Sequence, residues 1–98
     1  MTPTRQDILN RLQSIKEDVV RNYPVKNVGV FGSVARDEQT DESDIDLLVE
    51  FSRPVGFVTF MRLEHFLSEQ MGKPVDLVTP DTLKPVIRDD VLAEVIYV

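Results

Sequence analysis

The chain has 98 residues, 42% of them hydrophobic and 29% charged, which fits one globular domain spanning residues 1–98. It has no cysteine, which excludes a disulfide framework or a thiolate metal site and fits a cytoplasmic location. Its formal net charge of −6 argues against direct binding of nucleic acid, and no apolar run approaches the roughly 20 residues of a membrane span, so no membrane association is expected.

The first predicted element is an amphipathic helix that ends before Pro24. Thr4, followed three residues later by Asp7, resembles a capping start. Apolar side chains then recur at helical spacing, at Ile8, Leu12, Ile15 and Val19. This pattern predicts a helix with one face against a core.

A strand is predicted over Val25–Phe31, and Gly32-Ser33 interrupts it. A short helix over Val34–Glu38 and a loop over Gln39–Ser43 follow. Acidic side chains crowd this region, at Asp37, Glu38, Asp41 and Glu42. Because like charges this close repel unless they are screened, the simplest interpretation is a solvated acidic loop.

The second half of the chain predicts a strand over Asp44–Phe51 and a helix from Phe57 to a C-cap at Gly72. A short strand over Val75–Thr79 and a last helix over Leu83–Leu92 come next, and Val95–Val98 fits either a helix tail or an extended edge. Core positions are expected at Phe57, Phe60 and Phe66, and a structural or surface role at His65. The order of elements predicts an α/β (α+β) fold, a small mixed β-sheet covered by helices.

Two carboxylates, Asp44 and Asp46, interrupt the predicted strand over 44–51. Residues two apart in a strand point to the same face, so these two side chains are expected to point together while Ile45 and Leu47 face the core. Paired carboxylates repel unless one binds a proton or a cation lies between them, and oxygen ligands of this kind suit Mg²⁺. Two polar residues on a solvated sheet face remain the alternative.

Gly32 and Ser33 lie where the preceding strand turns into a helix. A glycine there allows the backbone to approach a ligand, and the N–H groups of a helix start attract phosphate. A serine that merely caps the helix is the alternative. Together with the acid pair, the turn suggests a site for a nucleoside triphosphate and its magnesium.

These stretches, Gly32-Ser33-Val34-Ala35-Arg36 and Ser43-Asp44-Ile45-Asp46-Leu47-Leu48-Val49, resemble the DNA polymerase β-like nucleotidyltransferase superfamily. Its pattern is a glycine-serine pair, then two acids separated by one apolar residue, then a carboxylate on another strand. Lys73-Pro74-Val75-Asp76-Leu77-Val78 supplies Asp76 for that last position. The resemblance is strongest to the minimal nucleotidyltransferases called MNT, the antitoxin partners of HEPN toxins, and it implies their minimal polymerase β-like fold.

The resemblance also implies roles for individual residues. Metal ligands for two Mg²⁺ ions would be Asp44, Asp46 and Asp76, which are also the implied catalytic residues. Asp76 would also be a candidate base, with Asp81 or Glu50 as the alternative third acid. Gly32 and Ser33 would hold the β- and γ-phosphates of ATP. Arg36 would contact phosphate or brace the acidic loop.

The implied reaction is transfer of AMP from ATP to a tyrosine hydroxyl of a HEPN-type RNase toxin, which neutralises that toxin. An acidic antitoxin surface suits a basic partner. Two alternatives stay open at this point: an antitoxin that acts mainly by direct binding, and a small-molecule nucleotidyltransferase of the aminoglycoside type. The absence of room for a substrate domain argues against the second alternative.

Overall fold

A computed structural model describes residues 2–98 of the chain. Its helices are α1 (Arg5–Asn22), α2 (Gly32–Ala35), α3 (Phe57–Met71) and α4 (Pro85–Glu94). Its strands are β1 (Val25–Phe31), β2 (Ile45–Phe51), β3 (Val75–Val78) and β4 (Ile96–Tyr97), and a single 3₁₀ turn, Pro80–Thr82, joins β3 to α4. The predicted small mixed sheet with covering helices is confirmed.

The four strands form one sheet in the order β3-β2-β1-β4. β1 is antiparallel to both of its neighbours, β2 and β4, while β2 and β3 run parallel. A parallel pair needs a long crossover connection, and α3 supplies it between β2 and β3. The sheet is therefore mixed because a hairpin-like pair and a crossover pair share the central strand β2.

Local sequence signals account for the ends of the two long helices. The side-chain oxygen of Thr4 accepts from the Asp7 N–H, and the Asp7 carboxylate accepts from the Thr4 N–H, so a capping box starts α1. α3 ends at Gly72, whose φ of 70° lies in the left-handed region that a glycine adopts without a steric penalty. Both ends agree with the sequence predictions.

The core lies between one face of the sheet and helices α1 and α3. Strands β1, β2 and β3 contribute buried residues, including Ile45, Leu47 and Val49 of β2, which are all 1% exposed or less. The helices contribute buried residues at helical spacing: Ile8, Leu12, Ile15, Val19, Leu63 and Leu67. The residues between them on the strands, Asp46 and Asp76, consequently face the other side of the sheet.

Several details differ from the sequence predictions. β2 begins at Ile45, so Asp44 flanks the strand, and α2 begins at Gly32 and not at Val34. For Val95–Val98, the extended edge is the alternative that the structure shows, because Ile96–Tyr97 forms β4, which pairs with β1 through Gly29 and Val30. The expectation of a core position for Phe57 was wrong, because its side chain is 77% exposed at the first turn of α3.

Within residues 2–98, none of the helices combines the length and the apolar character that crossing a membrane requires.

Candidate active site

The two strands β2 and β3 place two carboxylates side by side. Asp46 pairs with Asp76 in the parallel register, so their side chains lie on the same face of the sheet. Asp46 is half-buried and Asp76 is exposed. Asp46 also pairs with Phe31 on its other side, and Phe31 is the last residue before Gly32. Asp46 is thus the central residue, flanked by the third predicted acid and by the predicted turn.

Gly32 lies directly against the carboxylate of Asp46. A Cβ built on Gly32 would be 2.2 Å from Oδ2 of Asp46, a separation at which the two atoms overlap. The φ of Gly32 is 73°, in the left-handed region that glycine tolerates best. Two independent constraints, backbone conformation and close approach, therefore require glycine at this position.

Asp44 precedes β2 by one residue and is exposed to solvent. Its negative charge still acts on Asp46, because it is among the causes that raise the pKa of that carboxyl. Asp44 and Asp76 thus lie close enough to Asp46 for their charges to act on its carboxyl, so the three predicted acids occupy one region of the sheet.

The pKa of Asp46 is raised to about 6. Burial is the largest cause, since it disfavours the charged form, and the negative charges of Asp76 and Asp44 add to it. The positive charge of Arg36 opposes this rise, and the charge of Glu94 reinforces it. A carboxyl with so many negative neighbours is stabilised in its ionised form by any cation that binds beside it.

The other two candidates for the third acid are placed less well. Glu50 lies four residues further along β2, about 13 Å from Asp46 at the usual rise per residue. Its carboxylate accepts hydrogen bonds from Asn27 and Tyr97. Asp81 is exposed in the 3₁₀ turn beyond the far end of β3. The strand register therefore favours Asp76.

Arg36, which follows the last residue of α2, forms ion pairs with two glutamates, Glu38 and Glu94. Its Nε donates to Glu38 at 3.2 Å, and its Nη1 donates to both carboxylate oxygens of Glu94, at 3.3 and 3.1 Å. The hydrogen bonds to Glu38 and Glu94 raise the pKa of Arg36 above its usual value. Of its two expected roles, bracing the acidic loop corresponds to the contact with Glu38. A contact with phosphate stays a prediction.

Glu94 is the residue of this site that the sequence analysis missed. Its Oε1 accepts from the backbone N–H of Gly32 at 2.9 Å, in addition to its contacts with Arg36. One signal was available in the sequence: an acid in the last turn of a helix is opposed by the helix dipole, so it usually has a compensating partner. The partner itself lies 62 residues away along the chain and leaves no local pattern.

A lysine forms hydrogen bonds with the backbone of the acidic loop that precedes β2. Lys73 Nζ donates to the backbone carbonyls of Thr40 and Asp41, at 3.3 and 3.1 Å. Lys73 stands two residues before β3, so this contact links the entrance of β3 to the entrance of β2. The contact holds the end of the loop near the start of both strands.

A divalent cation fits the chemistry of these side chains. As folded, no three His, Cys, Asp or Glu side chains within residues 2–98 converge closely enough to enclose a metal ion. However, Asp44 and Asp76 are exposed, so their side chains can rotate toward a cation without disturbing the core. The oxygen-only donor set, with a central carboxyl whose pKa is raised by burial and by its acidic neighbours, matches the preference of Mg²⁺.

Residues 12–98 match the family described as "Nucleotidyltransferase domain". Two archaeal relatives align along almost the whole chain. A Methanocaldococcus jannaschii protein, provisionally named protein adenylyltransferase MJ0128, is 41% identical over 96 residues, covering 97% of this chain and 98% of its own. Protein adenylyltransferase MntA of Thermococcus cleftensis is 38% identical over 95 residues, covering 97% and 96%.

Solved structures share the fold. A protein described provisionally as a minimal nucleotidyltransferase superposes with a TM-score of 0.81 at 34% identity, over 95% of this chain and 94% of its own. A chain from the complex of tri-AMPylated Shewanella oneidensis HEPN toxin with MNT antitoxin superposes with a TM-score of 0.65, over 96% and 71%. The latter is 21% identical, so that likeness concerns the fold alone.

Proposed function

Because the chain belongs to the nucleotidyltransferase domain family, we propose that it transfers AMP from ATP to a tyrosine hydroxyl of a HEPN-type RNase toxin and so acts as its antitoxin. The observation that carries the proposal is the position of Asp46. Its carboxylate lies against Gly32 on one side and beside Asp76 on the other. The candidate phosphate turn and the candidate cation ligands are therefore in direct contact.

The identity of the transferred group and the kind of acceptor rest on the relatives. Two archaeal proteins that align over nearly the whole chain are named protein adenylyltransferases, which supports a protein as the acceptor. A chain from the complex of an AMPylated HEPN toxin with MNT antitoxin shares the fold, which supports a HEPN toxin as that protein. Tyrosine as the acceptor residue is part of the proposal, and mass spectrometry of the modified partner tests it.

In this mechanism Asp44, Asp46 and Asp76 hold Mg²⁺, two ions in the proposed scheme. When bound, the metal neutralises charge on the phosphates and on the attacking and leaving oxygens. Asp46 has to be ionised to act as a ligand. Since burial and its acidic neighbours raise its pKa to about 6, cation binding below that pH displaces a proton from Asp46.

The phosphates are bound by the turn between β1 and α2. The hydroxyl of Ser33 forms no hydrogen bond with any of residues 2–98, so it is available as a donor to a phosphate oxygen. Gly32 has no side chain, which lets the triphosphate lie close to Asp46. The turn thereby orients the α-phosphate toward the acids, and orientation of this kind lowers the barrier by fixing the reacting atoms in place.

In the chemical step the tyrosine oxygen forms a bond to the α-phosphorus, and the bond from that phosphorus to the oxygen bridging to the β-phosphate breaks. Pyrophosphate leaves with the electron pair of the broken bond. Asp76 is exposed at the edge of the site and accepts the hydroxyl proton, so it acts as the base. The products are the adenylylated toxin and pyrophosphate.

Neutralisation by contact alone is the second candidate function, and one observation favours it. The first turns of α3 expose three large apolar side chains, of Phe57, Val58 and Met61, at 77%, 62% and 41%. Exposed apolar clusters on a small protein often mark surfaces that bind another protein. Binding and catalysis can coexist, so the two functions are separated by testing catalysis directly.

The test is mass spectrometry of a HEPN-type partner protein after incubation with this protein, ATP and Mg²⁺. We expect AMP adducts that map to tyrosine and that require Mg²⁺. An adduct on another residue type would show that tyrosine is not the acceptor, and would leave AMP transfer to the partner standing. Absence of any adduct, together with inhibition of the RNase by the unmodified complex, would favour neutralisation by contact.

A further inference from the structure

Glu94 ends α4 and contacts two parts of the proposed nucleotide site. Its Oε1 accepts from the Gly32 N–H at 2.9 Å, and Arg36 Nη1 donates to its Oε1 and Oε2 at 3.3 and 3.1 Å. The side chain is 27% exposed, so water only partly competes for these contacts. A single carboxylate thus joins the last helix to the turn between β1 and α2.

The contact satisfies a backbone group that α2 cannot satisfy itself. Gly32 is the first residue of α2, and the first N–H groups of a helix have no acceptor within the helix. Phe31, which precedes it, provides no side-chain cap. Glu94 supplies the missing acceptor, and a hydrogen bond to a charged group is worth more than one between neutral groups.

The bonded N–H belongs to the residue that abuts the central acid. Gly32 lies against Oδ2 of Asp46, so any shift of the Gly32 backbone changes the space that the Asp46 carboxylate occupies. The same carboxylate accepts from Arg36, which keeps Arg36 at the edge of the turn.

We propose that Glu94 is a positioning residue of the nucleotide site. It fixes Gly32 against Asp46 and holds Arg36 beside the turn, which preforms the phosphate-binding backbone before ATP arrives. The C-terminal helix α4 is therefore part of the site, although it carries none of the three acids. This inference rests on the proposed function, because it takes the bound anion to be the triphosphate of ATP.

Electrostatic repulsion and positioning predict opposite changes in nucleotide affinity when the Glu94 carboxylate is removed. A carboxylate near a triphosphate repels it, so charge alone predicts that Glu94→Ala binds nucleotide more tightly than the natural protein. Loss of the Gly32 hydrogen bond loosens the turn, so positioning predicts weaker binding. The sign of the change in affinity consequently decides between a competitor for the phosphate site and a support for it.

The experiment compares Glu94→Ala and Glu94→Gln with Asp90→Ala, a matched control that removes an exposed acid from the same helix. Calorimetry gives the Kd for Mg²⁺ with AMP-PNP. We expect Glu94→Ala to bind at least about tenfold more weakly, which corresponds to about 1.4 kcal/mol, because a hydrogen bond to a charged group is lost. Glu94→Gln retains an acceptor oxygen for Gly32 and should stay within about threefold, and Asp90→Ala should equal the natural protein.

A second readout needs no nucleotide. Hydrogen exchange of the Gly32 amide, followed by NMR, should be faster in Glu94→Ala and protected in Glu94→Gln. If the natural protein fails to bind AMP-PNP, the proposed function is wrong, and the exchange rates still decide whether Glu94 positions Gly32. If Glu94→Ala does not fold, Glu94→Asp replaces it, because one methylene less moves the carboxylate away from Gly32.

Equal or tighter AMP-PNP binding by Glu94→Ala would overturn the proposal and identify Glu94 as a competitor of phosphate. An equal loss in Glu94→Gln and Glu94→Ala would also overturn it, since the glutamine preserves the acceptor for Gly32. Unchanged exchange of the Gly32 amide in Glu94→Ala would do the same.

Discussion

A Cβ on Gly32 would lie 2.2 Å from Oδ2 of Asp46, so the position of the central acid depends on the absence of a side chain at the turn. This relationship joins the two halves of the proposed site, one from each of the central strands. It also means that the site is sensitive to a change of one methyl group.

Gly32→Ala should lose activity far out of proportion to its loss of stability. The added methyl must displace the Asp46 carboxylate, and the φ of 73° strains any residue other than glycine. We expect a loss of about 1–2 kcal/mol in the free energy of unfolding from the backbone strain. AMP transfer should fall at least about 100-fold, since small displacements of reacting groups have effects of that size.

The matched control for this variant is Gly72→Ala. Gly72 has almost the same φ, 70°, but a Cβ there meets nothing within 4 Å. Urea unfolding should show a similar loss of stability for both variants, while transfer should be retained by Gly72→Ala alone. Comparable transfer by the two alanine variants would mean that the contact between Gly32 and Asp46 is unimportant.

Asp44→Asn combined with Asp46→Asn should abolish transfer without unfolding the protein. Removing two like charges relieves repulsion, so without metal the melting temperature should be unchanged or higher. Mg²⁺-ATP should raise the melting temperature of the natural protein by binding to its native state, and should not raise that of the double variant.

Asp89→Asn with Asp90→Asn removes the same charge from the exposed surface of α4 and serves as the control for the acid pair. It should retain both transfer and the thermal shift. Equal thermal shifts in the Asp44/Asp46 double variant and the natural protein would argue against a metal site at these residues.

Much of this arrangement could be predicted from sequence because it depends on local patterns. The alternation of residues in the strand containing Ile45, Asp46 and Leu47 places the acid opposite the core, and the structure agrees. The break at Gly32-Ser33 likewise marks the end of β1. A period of two residues is a property of the strand itself and does not need the rest of the fold.

The remaining features depend on contacts between distant segments. The register that aligns Asp46 with Asp76 is set when β3 docks on β2, and the bond from the Gly32 N–H to Glu94 forms only when α4 packs against α2. The wrong prediction of a core position for Phe57 has a related cause. Helical periodicity identifies the apolar stripe of a helix. It does not show that the first turn of α3 extends beyond the core that the rest of the helix covers.

Stability without divalent cations should depend on pH through Asp46. Its pKa is about 6 when folded and near 3.8 otherwise, so between these values the native state binds more protons than the unfolded state. The stabilising contribution of the protonated form is therefore complete below about pH 4 and is lost as the pH rises through 6. Allowing for partial exposure, we expect a loss of about 1–2 kcal/mol.

The measurement is urea unfolding with EDTA from pH 4 to 7, for the natural protein and for Asp46→Asn. As the pH rises, the natural protein should lose unfolding free energy relative to Asp46→Asn. This difference should level off above pH 6. A difference that does not vary with pH would show that Asp46 titrates normally in the folded protein.

Asp76→Ala should separate binding from catalysis. Asp76 is exposed and lies beside Asp46, and its proposed part is played mainly in the transition state. Removing such an interaction lowers turnover more than substrate binding. We expect most of the Mg²⁺-ATP affinity to remain in calorimetry, while labelling of the partner is largely lost. Asp81→Ala, an exposed acid just after β3, is the control and should label normally.

The reverse result, with Asp81→Ala inactive and Asp76→Ala active, would move the third acid to the 3₁₀ turn. Normal labelling by both variants would leave Glu50 as the acid to test next.

The central claim is that the chain transfers a nucleotidyl group and not a phosphoryl group. The most direct test is incubation with Mg²⁺ and the HEPN-type partner, using ATP labelled with ³²P at either the α or the γ position. Attack at the α-phosphate leaves AMP on the partner, so the account predicts labelled partner from α-labelled ATP and unlabelled partner from γ-labelled ATP. Label transferred from the γ position would contradict it.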